Sequence, residues 1–520
     1  MEGNAYGLSR LQYNGLFAAL LCSIFLTQLD QTIVSTALPT IATELNGFSS
    51  MSWVFTIYML ATTAMMPLAG KLSDLYGRRL FLLAGLALFV IGSVLCGMAQ
   101  SMEQLIVFRG LKGIGAGFLM PITFTVVFSV MPKGNNKYQT LYMSVFALSS
   151  VVGPTIGALI TSLLDWRYIF YINLPLGLIV FAVLFALLPR KSDSSSKAAG
   201  SIGYLAPILL VTGTLSTLLA LKLGGVQYAW GSLEIIGLLV VGAAALLSFV
   251  VQQLKAGEPV IPFHLFRDRV IASTYITTFV QGIIMFAALV YVPLFVQGSL
   301  GGDVAYTGGA LTPLMLCVMF GATLCGMLIQ RYTWRFSMAL SMLLCIVSLL
   351  MLIYLPEQVS FIWICFIMML LGLGIGMMMM IGQTAVSMSV DDSIRGAATS
   401  SVSFFRSIGG VLGTAVLTML VNNKLGLLMA ANESELPSLA GELGVVTDPL
   451  AMLESNADLP ASQLQLLQAM LGDSVQYGFW FLVAAAAAGL LASFWAGSAR
   501  QQSDAEVVQA KIDQASAHML

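Results

Sequence analysis

The sequence predicts an all-α integral membrane protein with fourteen transmembrane helices. We expect two six-helix pseudo-repeat bundles plus an inserted helix pair, with the N- and C-termini cytoplasmic. Composition is the first observation, since 58% of the 520 residues are hydrophobic and 9% are charged, whereas soluble domains carry about 25% charged residues. The second is a series of apolar runs of membrane-spanning length. The third is the placement of basic residues between those runs.

The apolar runs set the number of spans. A hydrocarbon core of about 30 Å is crossed by roughly 20 apolar residues in a helix. Short loops marked by Gly, Pro or Asn separate the runs. We expect the first run to be a retained helix rather than a signal peptide, because Gln28 and Asp30 interrupt it and no small-residue cleavage site follows. The predicted spans are centred near residues 25, 60, 89, 116, 151, 178, 212, 242, 284, 318, 345, 374, 408 and 487.

The basic residues orient the chain in the membrane. Lysine and arginine accumulate in the cytoplasmic loops of membrane proteins. With the N-terminus inside, 17 of the 23 basic residues fall in inner segments and 3 in outer segments. The remaining three lie within spans. This asymmetry predicts that both termini are cytoplasmic.

Short patterns recur across the two halves of the chain. GKLSDLYGRR at 70–79 aligns with GMLIQRYTWR at 326–335, and at the same offset two glycines of VGPTIGA (152–158) meet two glycines of GGVLGTA (409–415). GIGAG and GLGIG form a third similar pair with a shifted register. Loops of the same sidedness carry the matches, which indicates a parallel duplication of six spans.

The repeat offset is too long for six helices, so two further spans are expected between the halves. We predict an N-terminal six-helix bundle at 1–190, an inserted two-helix segment at 191–255, a C-terminal six-helix bundle at 256–500 and a cytoplasmic tail at 501–520. An acidic extracellular loop would interrupt the C-terminal bundle at about 422–475. Its piece LPASQLQLLQAML has helix-like apolar spacing, which fits either an amphipathic cap over the outer face or a loosely ordered loop.

Composition and motifs also exclude several functions. The net charge of −1 predicts no nucleic-acid partner, because such partners require a basic face. All six cysteines lie in apolar segments, where cysteine acts as a small buried hydrophobe. The sequence has no metal-ligand cluster, phosphate-binding loop or nucleophile–base set. We therefore predict no enzyme activity, no metal and no cofactor.

Five motifs resemble the major facilitator superfamily in its fourteen-helix drug/proton antiporter branch. GKLSDLYGRR resembles the loop motif between helices 2 and 3, RGLKGIGAG that of helix 4, and VVGPTIGA the antiporter motif of helix 5. LDQTIVSTALP is similar to the helix 1 signature, and DWRYIFYINLPLG to the one leading into helix 6. The motifs cover much of residues 29–177. The resemblance implies multidrug efflux driven by the proton gradient.

The chain departs from this family at three points. Lys112 stands where the family usually has Gln, and Leu75 replaces a common basic residue of the loop motif. Helix 10 carries no carboxylate, although some multidrug relatives have one there. The first and third departures bear on which substrates are plausible.

Three charged residues within spans are the predicted proton-coupling site. Asp30 is the acid found deep within a span, and a charge there needs a partner, a cavity or a role. Arg109 lies at similar depth on a helix of opposite direction, so an ion pair between them is possible. Asp30 would alternate between protonated and ionised, although a structural salt bridge is the alternative. Lys112 lies one turn from Arg109 on the same face, where it would either hinder proton loading, attract an anionic or zwitterionic substrate, or simply be solvated.

The loop motif is the predicted cytoplasmic gate. Gly70 and Gly77 permit close helix approach and unusual dihedral angles. Asp74 can hold Arg78 or cap a neighbouring helix N-terminus. The resemblance implies that this motif locks the gate in the outward-facing state, whereas a topological anchor would explain only the arginines.

The helix 5 motif removes side-chain bulk and a backbone donor at Gly153, Pro154 and Gly157. A kinked, closely packed face there could seal against proton leak while the bundles rock. Simple helix packing is the alternative.

Polar, aromatic and charged side chains within spans are candidates for the substrate cavity. Aromatic rings suit flat hydrophobic cations, and GMMMMIG at 376–382 offers a soft, adaptable surface, yet each residue could equally be ordinary packing. The candidates are Gln28, Gln31, Trp53, Tyr58, Gln281, Phe286, Tyr291, Phe404 and Arg406.

We therefore predict proton-coupled export of lipophilic, neutral or monocationic drugs by alternating access, because one titratable acid suggests one proton per cycle. The expected partners are a small lipophilic substrate, protons and the lipid bilayer. The chain would act as a monomer in a bacterial cytoplasmic membrane. Two alternatives stay open: a dedicated exporter of one metabolite, lipid or anionic, metallophore-like cargo, and a non-transporting membrane receptor.

Overall fold

The structure is a computed structural model that describes most of the chain. Between them the described ranges hold every predicted site residue except the side chain of Pro154. The described ranges are 9–45, 50–130, 137–188, 205–224, 228–256, 259–300, 304–355, 360–391, 393–432 and 461–497.

The secondary structure of the described residues is almost entirely α-helical. A short 3-10 helix, Phe263–Arg267, precedes the C-terminal half, and an isolated bridge joins Gly224 and Tyr228. The helices are α1 (Arg10–Glu44), α2 (Met51–Tyr76), α3 (Arg78–Gly97), α4 (Met102–Val130), α5 (Lys137–Leu163), α6 (Tyr168–Tyr171), α7 (Asn173–Leu187), α8 (Leu205–Leu223), α9 (Leu233–Lys255), α10 (Arg269–Leu300), α11 (Val304–Leu328), α12 (Trp334–Ile353), α13 (Phe361–Met388), α14 (Arg395–Ala431) and α15 (Ala461–Trp495).

Each of the fourteen predicted centres falls inside one of these helices. Twelve helices in the described ranges are long and apolar enough to cross a membrane. The centres near 151 and 212 fall in α5 and α8, which are not among those twelve, and α8 contributes a shorter apolar segment, Leu205–Leu221. A total of fourteen crossing helices and the orientation of the termini therefore stay predictions.

The same helix pairs pack against each other in both halves. In the N-terminal half α4 packs on α2 and α3, and α1 packs on α5 and α7. In the C-terminal half α13 packs on α11 and α12, and α10 packs on α14 and α15. The order of these partners is that expected of two parallel copies of one six-helix unit.

Glycines explain why the fourth helix of each half lies so close to its neighbours. Gly113 and Gly117 of GIGAG face the backbone of α2, and Gly115 between them faces α3. Gly372 and Gly376 of GLGIG face α11 in the same way. Small residues let membrane helices approach until their backbones touch. The GIGAG and GLGIG patterns thus have the same role in both halves, which is to allow the fourth helix to approach its neighbours closely.

The predicted outer loop, residues 422–475, is helical at both ends. Helix α14 is 37 residues long and ends at Ala431, while α15 is 35 residues long and begins at Ala461. At 1.5 Å per residue these helices are about 50–55 Å long, well beyond a hydrocarbon core of about 30 Å. Residues 433–460 lie outside the described ranges.

The stretch ASQLQLLQAML is the first part of α15 rather than a separate cap. The apolar residues of this segment lie on the same side as buried apolar residues of α14, among them Leu425 and Met429. Leu467 and Leu471 of α15 are buried too and belong to the same apolar cluster. The apolar face of this segment thus extends a helical pair instead of covering the bundle.

The inserted helices α8 and α9 pack mainly on each other. Helix α8 also contacts α2 and α14, one helix from each half. The described halves otherwise meet through α2 and α4 against α14, and through α5 against α11 and α13. The inserted pair thus lies at the edge of the contact between the two halves.

Candidate functional site

A fully buried carboxylate and two fully buried cations meet inside the N-terminal half. Asp30 is on α1, and Arg109 and Lys112 are on α4. Oδ2 of Asp30 accepts a hydrogen bond of 2.5 Å from Nη1 of Arg109, and Oδ1 accepts one from Nζ of Lys112. The predicted contact between Asp30 and Arg109 is thus present, and Lys112 shares the same carboxylate.

Arg109 is held from a second side by α2. Its Nε donates to the carbonyl oxygen of Val54 at 3.2 Å, and its guanidinium carbon lies 4.2 Å from the ring centroid of Tyr58. Its Nη2 is buried without a hydrogen-bond partner in the described structure. Tyr58, a predicted cavity residue, therefore belongs to the charge cluster, because its ring face attracts the cation.

Lys112 is enclosed by α3 and by the residues around the start of α7. Its Nζ donates to Oγ of Ser93 at 2.8 Å and lies 4.6 Å and 5.2 Å from the ring centroids of Phe89 and Phe170. Nδ2 of Asn173 also donates to Oγ of Ser93, at 3.1 Å. Lys112 is therefore an integral part of the packing and not a solvated side chain.

The charges of this cluster do not cancel. With all three groups ionised, one carboxylate faces two cations and the net charge is +1. A single charge at the centre of a bilayer costs about 2.5–3.5 kcal/mol on insertion scales. Such an arrangement persists only where the surrounding structure fixes it, and it marks the cluster as the candidate functional centre.

The helix 5 motif packs directly beside this cluster. A Cβ at Gly153 would meet the side chain of Thr32, two residues after Asp30 on α1. Oγ1 of Thr32 lies 3.4 Å from the carbonyl oxygen of Ser149, one turn earlier on α5. Gly157 is buried as well. The side chain of Pro154 lies outside the described residues, so its predicted kink has no structural counterpart.

Asp74 joins the loop motif to the C-terminal half. Its two carboxylate oxygens accept hydrogen bonds from the backbone N–H groups of Gly396 at 3.1 Å and Ala397 at 2.8 Å. These are the second and third residues of α14. Arg78 lies 3.7 Å from the same carboxylate. Asp74 therefore caps α14, as well as pairing with Arg78, and a carboxylate is favoured at a helix N-terminus.

The glycines of the loop motif allow this contact. Gly77 separates α2 from α3 with a φ of 103°, a backbone conformation that glycine adopts without strain. A Cβ at Gly70 would lie 2.7 Å from Cβ of Ser400 and closer still to the carbonyl oxygen of Gly396. The α2–α14 contact is thus a direct backbone approach, and we call this end of the bundle the Asp74 end.

Above this contact, α4 and α14 are also joined. Oγ1 of Thr125 and Oγ1 of Thr399 are 2.9 Å apart. Moving from the Asp74 end along α14, the contacts involve Gly396, then Thr399 and Ser400. The two halves are therefore closed on each other at this end.

A small cavity of about 20 Å³, room for about one water molecule, lies between the halves, one turn beyond the contact of Thr125 with Thr399. Arg406 contributes its positive charge, and Gln383 donates to Ser403 at 2.9 Å while its Oε1 is buried without a partner in the described structure. No carboxylate is among the described lining residues. They are Ile24, Met120, Phe124, Tyr142, Met379, Gln383, Ser403 and Arg406.

Arg406 is the predicted cavity residue that lines this space, and the other eight are not among its described lining residues. Gln28 is buried, and its Oε1 has no partner within the described ranges. Gln31 and Trp53 are half-buried. Tyr58 lies against Arg109. These four positions lie on α1 and α2. Of these two helices, α1 contributes one described residue to the lining, Ile24, and α2 contributes none.

The four remaining candidates pack within the C-terminal half. Nε2 of Gln281 donates to Sδ of Met285, and the hydroxyl of Tyr291 donates to Thr418 at 2.6 Å. Phe286 packs against the α14 backbone at Gly410. Phe404 is buried beside the ring of Phe405. Nε2 of Gln281, the Tyr291 hydroxyl and the two phenylalanine rings thus make contacts within this half, while Oε1 of Gln281 is buried without a partner in the described structure.

Sequence reasoning missed three polar residues of the cavity. Gln383 follows the methionine run of α13, so the criterion that selected Gln281 could have selected it. Ser403 lies one turn before Arg406 on α14. Tyr142 had no signal in the sequence, because its place depends on the packing of α5 against Phe124, whose ring centroid is 5.5 Å from that of Tyr142.

The site therefore lies in two similar helical halves that close on each other at one end. The family model of the Major Facilitator Superfamily matches residues 20–414, and the chain belongs to this family. It is therefore a multi-pass membrane transporter and not an enzyme.

Similar proteins and structures agree with this assignment. Multidrug resistance protein 3 of Bacillus subtilis strain 168 is 33% identical over 497 residues, covering 94% of this chain and 96% of that protein. The multidrug transporter protein MdtP of the same strain is 36% identical over 453 residues, covering 85% and 83%. A double-tryptophan mutant of XylE has the same fold, with a TM-score of 0.61 at 12% identity, covering 94% of this chain and 97% of that one.

Proposed function

We propose that this chain exports lipophilic, neutral or singly charged compounds from a bacterial cell in exchange for protons. The observation that carries the proposal is the enclosed cluster of Asp30, Arg109 and Lys112, because a transporter has no structural need for an unbalanced buried charge. The multidrug names of the two Bacillus relatives support a drug-like cargo. The proton gradient would drive the cycle, with no cofactor, and one chain would suffice as a monomer.

Alternating access would follow from breaking and remaking the contacts that α14 makes with α2 and α4 of the other half. With the Asp74 end at the cytoplasm, the present arrangement is closed to the cytoplasm. Opening it requires Asp74 to leave the N-terminus of α14 and the backbones of α2 and α14 to separate. The cluster and the cavity share α1 and α4, so a change of charge in the cluster can be transmitted to the cavity wall.

The first test is gradient-driven dye export by purified protein in lipid vesicles. We expect a pH gradient to drive export of Nile red, a neutral lipophilic dye, by the native protein. Asp30→Asn should lower this export at least tenfold, because it leaves Arg109 and Lys112 without their shared anion. The rate of dye loss from the vesicle lumen, with and without the gradient, measures the effect.

Glu103→Gln is the matched control for this experiment. It makes the same carboxylate-to-amide change at an exposed position of α4 and should export like the native protein. Native vesicles that ignore the gradient would overturn proton coupling. Normal gradient-driven export by Asp30→Asn would overturn the role of the cluster.

The charge of the preferred cargo is expected to depend on Arg406. The described lining of the cavity holds this cation and no carboxylate, which disfavours the monocations expected from the sequence and favours neutral or anionic compounds. Rhodamine methyl ester and fluorescein methyl ester share their ring system and carry opposite charges. We expect the native protein to bind the anionic dye at least tenfold more tightly, since a hydrogen bond to a charged group contributes about 1.5–3 kcal/mol.

Arg406→Gln should remove this preference, with dye affinity measured by fluorescence polarisation. Arg335→Gln, a change at an exposed arginine, should preserve it. Equal affinity of the native protein for both dyes would contradict the role of Arg406. Binding of the anion alone, with no other dye transported, would instead favour the second candidate function, a dedicated exporter of an anionic metabolite or lipid.

A further inference from the structure

We infer that Lys112, rather than Asp30, is the group of the buried cluster that gains and loses the proton. This inference deepens the proposed proton coupling and rests on it. Asp30 would then stay ionised as the fixed counter-ion of Arg109. Three independent features of the described site lead to this assignment: its charge count, the hydrogen bonds of Lys112, and the unpartnered nitrogen of Arg109.

The first feature is the charge count. Arg109 stays protonated in proteins, so the cluster has net charge 0 when Lys112 is a neutral amine and +1 when it is an ammonium ion. Protonating Asp30 as well would raise the net charge to +2 in a site closed to water. Cycling between 0 and +1 keeps the buried charge smallest, and it excludes protonation of Asp30 while Lys112 is an ammonium ion.

The groups that face Lys112 from the surrounding helices do not alter this count. Apart from Asp30 and Arg109, those in the described site are uncharged side chains, and the titratable ones are a thiol and a phenol. Lysine gives up its proton readily when buried, whereas arginine does not. The facing groups are Asp30 from α1, Phe89, Ser93 and Cys96 from α3, Arg109 from α4 and Phe170 from α6, with Asn173 of α7 bound to Ser93 and Tyr58 of α2 against Arg109.

The second feature is the set of hydrogen-bond acceptors around Nζ. The described site provides two, Oδ1 of Asp30 and Oγ of Ser93. A neutral amine has two N–H groups, so both of them are satisfied in the unprotonated state. The third N–H of the ammonium ion meets only the ring faces of Phe89 and Phe170 among the described residues, and ring faces stabilise a cation. The site thus accommodates both protonation states.

The third feature provides a structural response to the change of charge. Nη2 of Arg109 is buried without a partner in the described site, while Nη1 binds one oxygen of Asp30. A carboxylate and a guanidinium favour a two-bonded pairing. When Lys112 becomes neutral, its attraction for Oδ1 of Asp30 weakens, so this oxygen can also accept a hydrogen bond from Nη2 of Arg109 while it keeps the one from Nζ, and this shifts α1 relative to α4. These helices also carry Ile24, Met120 and Phe124 of the cavity wall.

Two substitutions hold the cluster in its two charge states. Lys112→Arg keeps a permanent cation and mimics the protonated state, and Lys112→Gln mimics the neutral state. In an antiporter the proton and the cargo oppose each other, so by linkage the native protein should bind Nile red more tightly as pH rises. We expect pH-independent binding by both variants, weak for Lys112→Arg and tight for Lys112→Gln.

The assay measures Nile red binding and proton release together. Native protein in nanodiscs, weakly buffered, should release protons when the dye is added, with protein-free nanodiscs as the blank. Both variants should release less than a tenth as much. Cys96→Ser, a change at a buried neighbouring thiol, should behave like the native protein.

A ligand-free measurement keeps the inference testable if one variant fails to fold. The ¹³Cε resonance of lysine moves when the amine loses its proton, so labelled native protein should show, in a pH titration, a titrating lysine signal that Lys112→Gln lacks. Absence of that signal, or proton release within twofold of native in a folded Lys112 variant, would overturn the assignment. Dye binding by the native protein without proton release would instead overturn the proposed proton coupling itself.

Discussion

Asp74→Asn is expected to lower gradient-driven dye export at least tenfold. Asp74 accepts two backbone hydrogen bonds at the N-terminus of α14, from Gly396 and Ala397. An asparagine offers one acceptor oxygen and turns an N–H donor toward the second backbone N–H. A hydrogen bond to a charged group contributes about 1.5–3 kcal/mol, and the helix terminus adds about 0.3–1 kcal/mol. The arrangement closed at the Asp74 end should therefore lose about 2–4 kcal/mol relative to the open one.

Labelling of the cavity can separate this gate defect from misfolding. Ser403→Cys, in a background without the native cysteines, places a thiol in the cavity wall. Asp74→Asn should increase its labelling by an impermeant maleimide added from the cytoplasmic side. Asp391→Asn, the same change at an exposed residue shortly before α14, should affect neither labelling nor export. Native-like labelling and export in Asp74→Asn would contradict the gate assignment.

Gly70→Val is expected to abolish export while leaving the protein folded. A Cβ at residue 70 would lie 2.7 Å from Cβ of Ser400, whereas real Cβ atoms essentially never come within 3.0 Å. The carbonyl oxygen of Gly396 is closer still, and backbone cannot turn aside as a flexible side chain can. The variant should therefore remain open at the Asp74 end, because each half keeps its own packing and only the α2–α14 approach is blocked.

The control for this variant is Gly237→Val on α9. A Cβ at residue 237 meets nothing within 4 Å, so this change should leave export unchanged. Gly70→Ala should show a partial loss, because the added atom is the same but the bulk is smaller. Thermal unfolding should be similar for all three variants. Export by Gly70→Val at half the native rate or more would show that α2 and α14 do not close as described.

The sequence was sufficient for features that depend on hydropathy and depth alone. The centres of the spans could be read from apolar runs, and the meeting of Asp30 with Arg109 from the similar depth of two helices of opposite direction. Lys112 joined them because residues three apart share a helix face. Asp74 could be expected to cap a helix, although nothing in the chain said which one.

The remaining features depend on which helices face each other across the molecule. Asp74 and Gly396 are 322 residues apart, and no local pattern links them. The cavity combines side chains of α1, α4, α5, α13 and α14, so single residues such as Tyr142 gave no signal. Among the predicted cavity residues, the ring of Tyr58 faces Arg109 and that of Phe404 lies beside Phe405, and neither neighbour could be read from single residues. Within the predicted outer loop of 422–475, residues 422–431 and 461–475 are helical parts of α14 and α15.

Because α14 is 37 residues long, rocking of the two halves would displace its two ends by different distances. If the halves rock about the cavity near Arg406, the gate at Gly396 lies about 15 Å from that pivot and the far end at Ala431 about 37 Å, at 1.5 Å per residue. A rigid rotation would then move the far end roughly two and a half times as far as the gate. Leu427, 70% exposed near that end, is a natural attachment point for a spin label. Distances measured from it would magnify a gate movement too small to follow at the gate itself.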